Sequence, residues 1–309
     1  MLGLVCHFVE EQKKKNGEVV LYNKFETKTL QLGRYKAEKY TEEQIKQTYL
    51  HNVQKTLEVL PEVVNSGIRL FRLSSNLFPL YDVAPRNCWD NEEVKSVLKN
   101  IGQLITMHQM RVCVHPGQFC VLSSDSDSVV AKAFEELAIH AWLFDQMGLD
   151  LSPKWAINIH GGKRDRSSRL IDQIKSLPDN VKKRLTLEND ETCYDVVELL
   201  AIHESTGVPI VWDSHHQVFN DGDISPEDAQ AATMETWPKG VKPLQHLANT
   251  EPHLMNGSFS ERRKHSNVIH YVPQVQLNAL RDDTVDVEVE CKSKNIGVFK
   301  LAKDFNVPL

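Results

Sequence analysis

WAINIHGG (Trp155–Gly162), RLTLEND (Arg184–Asp190) and PIVWDSHH (Pro209–His216) follow one another through the middle of the chain, and their shared form decides the fold. Each is a short apolar run that ends on a histidine or a carboxylate and then breaks into turn residues. Continuous apolar runs of this length read as strands buried on both faces, which is the mark of a parallel sheet. Working outward, the same form recurs at Gly3–Phe8, Ile68–Leu73, Arg111–His115, Pro243–Asn249 and Val285–Glu290. With Trp155–His160, Arg184–Glu188 and Pro209–Asp213 these make eight runs, spaced by the roughly 25–45 residues that a strand, a helix and two loops occupy.

Helix-period segments fill the intervals: Glu42–Val64, Asn91–His108, Val129–Met147, Arg169–Ser176, Tyr194–Glu204, Ser225–Thr236, Pro273–Leu280 and Asn295–Phe305. Eight alternating units predict a (β/α)8 TIM barrel, a single α/β domain over residues 1–309, because a closed barrel gathers strand ends that an open sheet would spread apart. A doubly wound open sheet is the alternative. The lysine-rich stretch Glu10–Lys39 is expected to be a long first loop on the barrel rim.

With 41% hydrophobic and 25% charged residues the chain can bury one large core. A net charge of −6 excludes a molecule coated in positive potential, so any nucleic-acid contact has to be a local patch. The six cysteines form no C-x-x-C pair, and several lie in apolar runs, as reduced thiols do. The N-terminal apolar stretch ends at Val9, before Glu10, Glu11 and three lysines, and no run is long enough to span a bilayer. A cytoplasmic, membrane-free and monomeric protein is expected.

The strand ends carry the chemistry. HPGQF (His115–Phe119) and NIHGG (Asn158–Gly162) each place an imidazole before glycine-rich turns, so His115 and His160 face the barrel mouth. A lone histidine there would more often be structural; two on neighbouring strands point to a metal. Glu188 tips an apolar strand, where an unpaired carboxylate costs several kcal/mol to bury, so it meets either a cation or an Arg or Lys partner. Asp213 and His216 stand three apart on an exit turn, with His215 as a competing ligand. His246 centres PLQHLAN (Pro243–Asn249). Glu290 is the last acid of VEVECK (Val287–Lys292), and Glu288 is its in-register alternative, deeper in the barrel. Four histidines and three carboxylates at one mouth predict two or three divalent ions, manganese, zinc or iron(II) by ligand type, with Glu188, Asp213, His246 and Glu290 as the catalytic set.

These blocks, together with FRLSSNLFP (Phe71–Pro79) and VECKSK (Val289–Lys294), resemble in order the signature segments of the UV-damage endonuclease family. That resemblance implies a TIM barrel similar to endonuclease IV, divalent ions with manganese among them, and incision of damaged double-stranded DNA on the 5′ side of UV photoproducts. It also implies a ligand set of His115, His160, Glu188, Asp213, His216, His246, His265 and Glu290, in which Glu188 bridges two ions and His265 completes a third site with His216. Gln118 and Phe119 would probe the lesion from inside the duplex. Lys163, Arg164, Arg166 and Arg169 on one side, and Arg262, Arg263 and Lys264 on the other, are candidate phosphate contacts or ordinary solvated surface. The chain departs from the family pattern at Leu4 and Phe8, where relatives carry Tyr and Asn. It departs again at Asp82 or Val83, nearest to a missing histidine, and at Leu244, which replaces a lysine. Two other activities share these features: a metal-dependent sugar isomerase, which needs a deep closed pocket, and a catalytically silent binder of damaged DNA.

Overall fold

Ten strands are present in the computed structural model, which describes residues 1–309. They are β1 (Leu2–Val5), β2 (Glu10–Lys13), β3 (Val19–Tyr22), β4 (Leu70–Leu73), β5 (Arg111–Val114), β6 (Ile157–Ile159), β7 (Leu185–Glu188), β8 (Ile210–Asp213), β9 (Leu244–Leu247) and β10 (Asp286–Val289). All but β2 and β3 pair in parallel in the closed order β1-β10-β9-β8-β7-β6-β5-β4, so the eight expected strands form the expected barrel. Each barrel strand is buried along its whole length, which is why apolar residues dominate most of these runs, while the few polar and charged ones, such as Arg72, His246 and Glu288, are buried with them.

Helices begin where side chains can take up the free amides of the first turn. Thr41 and Gln44 form a capping box ahead of Glu42–Asn65, Asp195 and Glu198 form another ahead of Val196–Thr206, and Asn91 accepts from the Val94 amide. The helix Val196–Thr206 stops at Gly207, whose φ of 72° is left-handed. The outer faces of the strands and the inner faces of the helices share one cluster of 62 buried apolar residues. Inside the barrel a smaller apolar layer of Leu70, Cys113, Ala156, Val211, Leu244 and Trp237 lies near the amino-terminal ends of the strands. There Arg111 and Asp286 form a buried ion pair at 2.8 Å.

The stretch Glu10–Lys39 is a correction to the expected loop. It holds the antiparallel hairpin β2–β3, with Glu10 opposite Tyr22 and Lys13 opposite Val19, and a short helix at Leu32–Lys36. β2 (EEQK) is exposed and carries no apolar pattern, and the apolar run VVLY of β3 follows it too closely to fit the strand–helix spacing of the barrel. Leu4 is buried in the main core and Phe8 packs against that core, while Leu244 belongs to the inner apolar layer. Val83 is exposed, and its carbonyl accepts from the Tyr35 hydroxyl. All six cysteines are free, and no helix is long and apolar enough to cross a membrane.

Candidate metal centre

Glu188 ends β7 at the carboxyl-terminal mouth of the barrel, 1% exposed, and the strands around it bring four imidazoles to its carboxylate. His115 Nε2, just past β5, lies 3.0 Å from Oε2, and Asn158 Nδ2 donates to the same oxygen at 2.5 Å. His246 Nδ1 on β9 lies 3.0 Å and His216 Nδ1 3.4 Å from Oε1. His160, past β6, closes the ring, its imidazole centred 5.0 Å from that of His115 and 5.2 Å from that of His216. The turn after His160 needs glycine: Gly162 has φ of 112°, and a Cβ there would run into Val121.

Asp213 ends β8 and caps the single turn Ser214–Gln217. Its Oδ1 accepts from the His215 and His216 amides at 2.6 and 2.8 Å. That turn places His216 against Glu188 and turns His215 away from it. On the next strands, register decides the rest. Asp213 pairs with His246 and His246 with Glu288, so these three lie in one row across β8, β9 and β10. Glu288, expected to lie deeper, therefore meets His246 Nε2 at 2.9 Å, and Glu290 meets His246 Nδ1 at 3.5 Å. Arg72 on β4 completes the floor. Its guanidinium is ion-paired with Glu288 and lies 2.5 Å from Glu290. It also lies 2.9 Å from His246 Nε2, a contact between two donors once that ring is protonated, so Glu288 between them supplies the attraction.

Burial opposes the charge on Glu188, yet His246, His160, His115 and His216 hold its carboxyl well below the usual carboxylate range. Burial likewise works against Glu288, which Arg72 and His246 bring down to about 2, and against Glu290, which Arg72, His246 and His265 hold below its ordinary value. In return Glu188 overcomes burial to lift His246 to about 10, and Asp213 and Glu188 raise His216. His215 goes the other way, pushed down by burial to about 4.

Three donor groups could each hold a cation: His115–Glu188–His246, His160–Glu188–His216 and His246–Glu288–Glu290, each with its ligand atoms within 4.8 Å of one another. Glu188 is common to two of them. The donor chemistry fits divalent ions that accept nitrogen and oxygen. So do buried atoms without a hydrogen-bond partner, Asp213 Oδ2 and His160 Nδ1, because such atoms are costly unless something meets them. Six of the eight expected ligands fall in these groups. Asp213 lies beside them, 3.8 Å from His216, and His265 touches Glu290 at 3.5 Å. His265 is not brought to His216: its other ring neighbour is His215, at 6.1 Å, whereas His216 Nε2 faces Glu191 at 3.6 Å. Arg72, Glu191 and Asp190, the last 3.7 Å from His160, were missed by sequence reasoning. Arg72 carried one signal, a charge inside an apolar strand.

The cluster opens into a cavity of about 530 Å³ lined by His115, His160, Glu188, His216 and Glu290 together with Cys6, Arg72, Gln118, Arg263 and His265, with Asp213 and His246 buried behind them. Gln118 is exposed at its edge, and the Phe119 side chain stands 79% exposed beside it. The expected cations are mostly engaged. Lys163 and Arg166 pair with Asp125, Arg169 with Asp127, and Arg263 with Glu191 at 2.7 Å. Arg262 lies over the Phe219 ring, while Arg164 is exposed and unpaired.

Residues 2–307, nearly the whole chain, match the family described as UV-endonuclease UvdE. The chain belongs to the UvdE family. A UV DNA damage endonuclease of Nostoc is 37% identical over 267 residues, covering 84% of this chain and 79% of that one. One of Deinococcus radiodurans is 32% identical, covering 98% and 96%. Among solved structures, the crystal structure described as SacUVDE aligns over 100% of this chain and 99% of its own, with a TM-score of 0.79 at 27% identity. An L-ribulose 3-epimerase, at 16% identity and a TM-score of 0.54, shares the fold alone.

Proposed function

We propose that this UvdE-family chain, as one domain over residues 1–309, is a metal-dependent endonuclease that hydrolyses a phosphodiester on the 5′ side of UV photoproducts in duplex DNA. The observation that carries the metal dependence is the sharing of Glu188 between two donor groups at the barrel mouth. His115, His160, Glu188, Asp213, His216, His246 and Glu290 would hold two or three divalent ions; the nitrogen and oxygen donors suit manganese, zinc or iron(II), the resemblance to the family puts manganese first, and Glu288 and His265 stand close enough to join them. When bound, such ions supply Lewis acidity and a water that is nucleophilic at neutral pH.

The chain's own residues supply the rest. Asn158 and the amides of His215 and His216 orient Glu188 and Asp213, so the carboxylates need no rearrangement to bind. In hydrolysis the water oxygen bonds to phosphorus while the ester bond to one flanking deoxyribose oxygen breaks, and that oxygen leaves with a proton. Gln118 and Phe119 would fill the gap left by displaced damaged bases, an amide and an exposed ring replacing lost hydrogen bonds and stacking. A crosslinked pyrimidine pair is easier to unstack than intact DNA, which favours lesions without requiring sequence readout.

Ultraviolet-irradiated supercoiled plasmid is expected to be nicked in the presence of manganese, with untreated plasmid intact and all nicking lost on chelation. Turnover of a ketose without nicking would instead favour the isomerase reading. Tight binding of irradiated DNA without strand breaks would select the silent binder.

A further inference from the structure

We propose that the β2–β3 hairpin is a DNA-contacting arm that lays a lysine tip on the duplex backbone beside the metal centre. This rests on the endonuclease reading and adds to it a surface that the sequence did not disclose. Both roots of the hairpin are fixed. Asn295 Oδ1 accepts from the Val9 amide at 2.7 Å and its Nδ2 donates to the Val9 carbonyl at 3.0 Å, while Asn23 and His7 bond at 3.0 Å across the other root. Val9 and Phe25 are buried on either side.

Beyond those roots the ribbon is exposed except at Val20, which is half-buried. All four residues of β2 are exposed, and Val19, Leu21 and Tyr22 of β3 are 56%, 43% and 47% exposed. An isolated two-stranded ribbon is marginal in water, and one that keeps apolar side chains outward suits a surface that is covered in use.

Charge along the ribbon is segregated. Glu10 and Glu11 sit at the root and Lys13, Lys14 and Lys15 at the tip. Glu18 pairs with Lys14 at 3.0 Å, which leaves Lys13 and Lys15 without an ion pair. Cys6, four positions before β2, lines the metal cavity, so the ribbon rises from the rim of the site. The neighbours of β1 in the barrel are β4 and β10, and the segment after β10 adds Lys292 and Lys294, also without ion pairs. In a chain of net charge −6, free cations collected at one side of the mouth match a polyanion passing over it. Strands of this length reach about 13 Å, or about four steps of a duplex strand at ~3.4 Å each. Lys13 and Lys15 then meet phosphates, and Val19 and Leu21, across from Lys13 and Glu11, lie against deoxyribose.

The test is nicking of an irradiated duplex of about forty base pairs by the manganese-loaded enzyme at several salt concentrations, for the wild type and a Lys13→Ser/Lys15→Ser variant. Each lost phosphate contact flattens the dependence of log(kcat/KM) on log[salt] by about 0.9, so the variant slope should be shallower by about 1.8. Its KM should rise several-fold at moderate salt, with kcat and melting temperature unchanged. Replacing residues 11–21 by a two-glycine turn should reproduce the effect. On a duplex too short to reach the arm, all forms should perform alike. An unchanged slope in both variants overturns the proposal, including the case in which the ribbon serves a protein partner. Should the wild type fail to nick at all, the same slopes read from binding of the irradiated duplex still decide the arm, separately from the endonuclease reading.

Discussion

The floor of the barrel mouth and its rim both carry many charges, and they hold them in opposite ways. At the floor, Glu188, Asp213 and Glu288 are buried and Glu290 is half-buried among imidazoles and one guanidinium, and each charge is held by several partners at once. At the rim, ion pairs are exposed, as between Arg169 and Asp127 or from Lys163 and Arg166 to Asp125, or absent, as at Lys13 and Lys15. Buried charges cannot be left alone, because water is not there to replace a lost partner, whereas exposed ones lose little. The floor should therefore be intolerant of any change and the rim tolerant, except where a rim cation is free to meet substrate.

The sharpest way to break this contrast is Glu188→Gln. It removes the carboxylate that two donor groups share, and nicking of irradiated DNA should fall on the order of 1,000-fold or more. Elemental analysis should find less than the wild-type complement of ions; a fully loaded variant would count against the shared-ligand geometry. Next in size is Arg72→Met, which takes from Glu288 and Glu290 the guanidinium they share and leaves His246 to offset both. Removing one partner of a buried pair costs about 3–5 kcal/mol, so the metal-free protein should melt well below wild type, and an unchanged melting curve would show that Arg72 is dispensable.

Acidity offers a third test. His246 is raised from 6.5 to about 10 in the metal-free protein. Its pairing with Glu188 and Glu288 therefore stabilises the metal-free fold fully below pH 6.5, and that contribution is lost as pH rises through about 10. A metal takes the unprotonated ring, so loading must expel this proton, and apparent affinity should climb with pH in that window by about tenfold per unit. Titration calorimetry in buffers of different ionisation heat would count the protons released, and none released would refute the assignment.

On the rim the expected effects shrink. Phe119→Ala should raise KM for irradiated duplex about tenfold, the scale of one lost base–aromatic stack, while metal content stays the same. Lys163→Ser should change KM less than about twofold, because Asp125 already takes up that charge. A larger change would place Lys163 with the free cations of the hairpin and erase the distinction within the rim.

How much of this could be read in advance depended on burial. The eight barrel strands were legible because a strand covered on both faces needs apolar residues at most positions, as Ile210, Val211 and Trp212 supply in β8 before its terminal Asp213. The hairpin was not, because exposed strands such as EEQK carry no such requirement. Ser214–Gln217 escaped for a different reason: four residues are too few to show a helical period, although that turn separates His216 from His215.

The amino-acid sequence by itself determined the alternation of strands and helices, and with it the gathering of His115, His160, Glu188, Asp213, His216, His246 and Glu290 at one mouth, because hydrophobic period and strand-end position are local properties. Only the tertiary structure decided that Glu288 stands level with His246, that Arg72 meets two glutamates more than two hundred residues away, and that Lys163 is paired while Lys13 is free. Register, ion pairing and exposure are relations between distant segments, and they exist only once the barrel has closed.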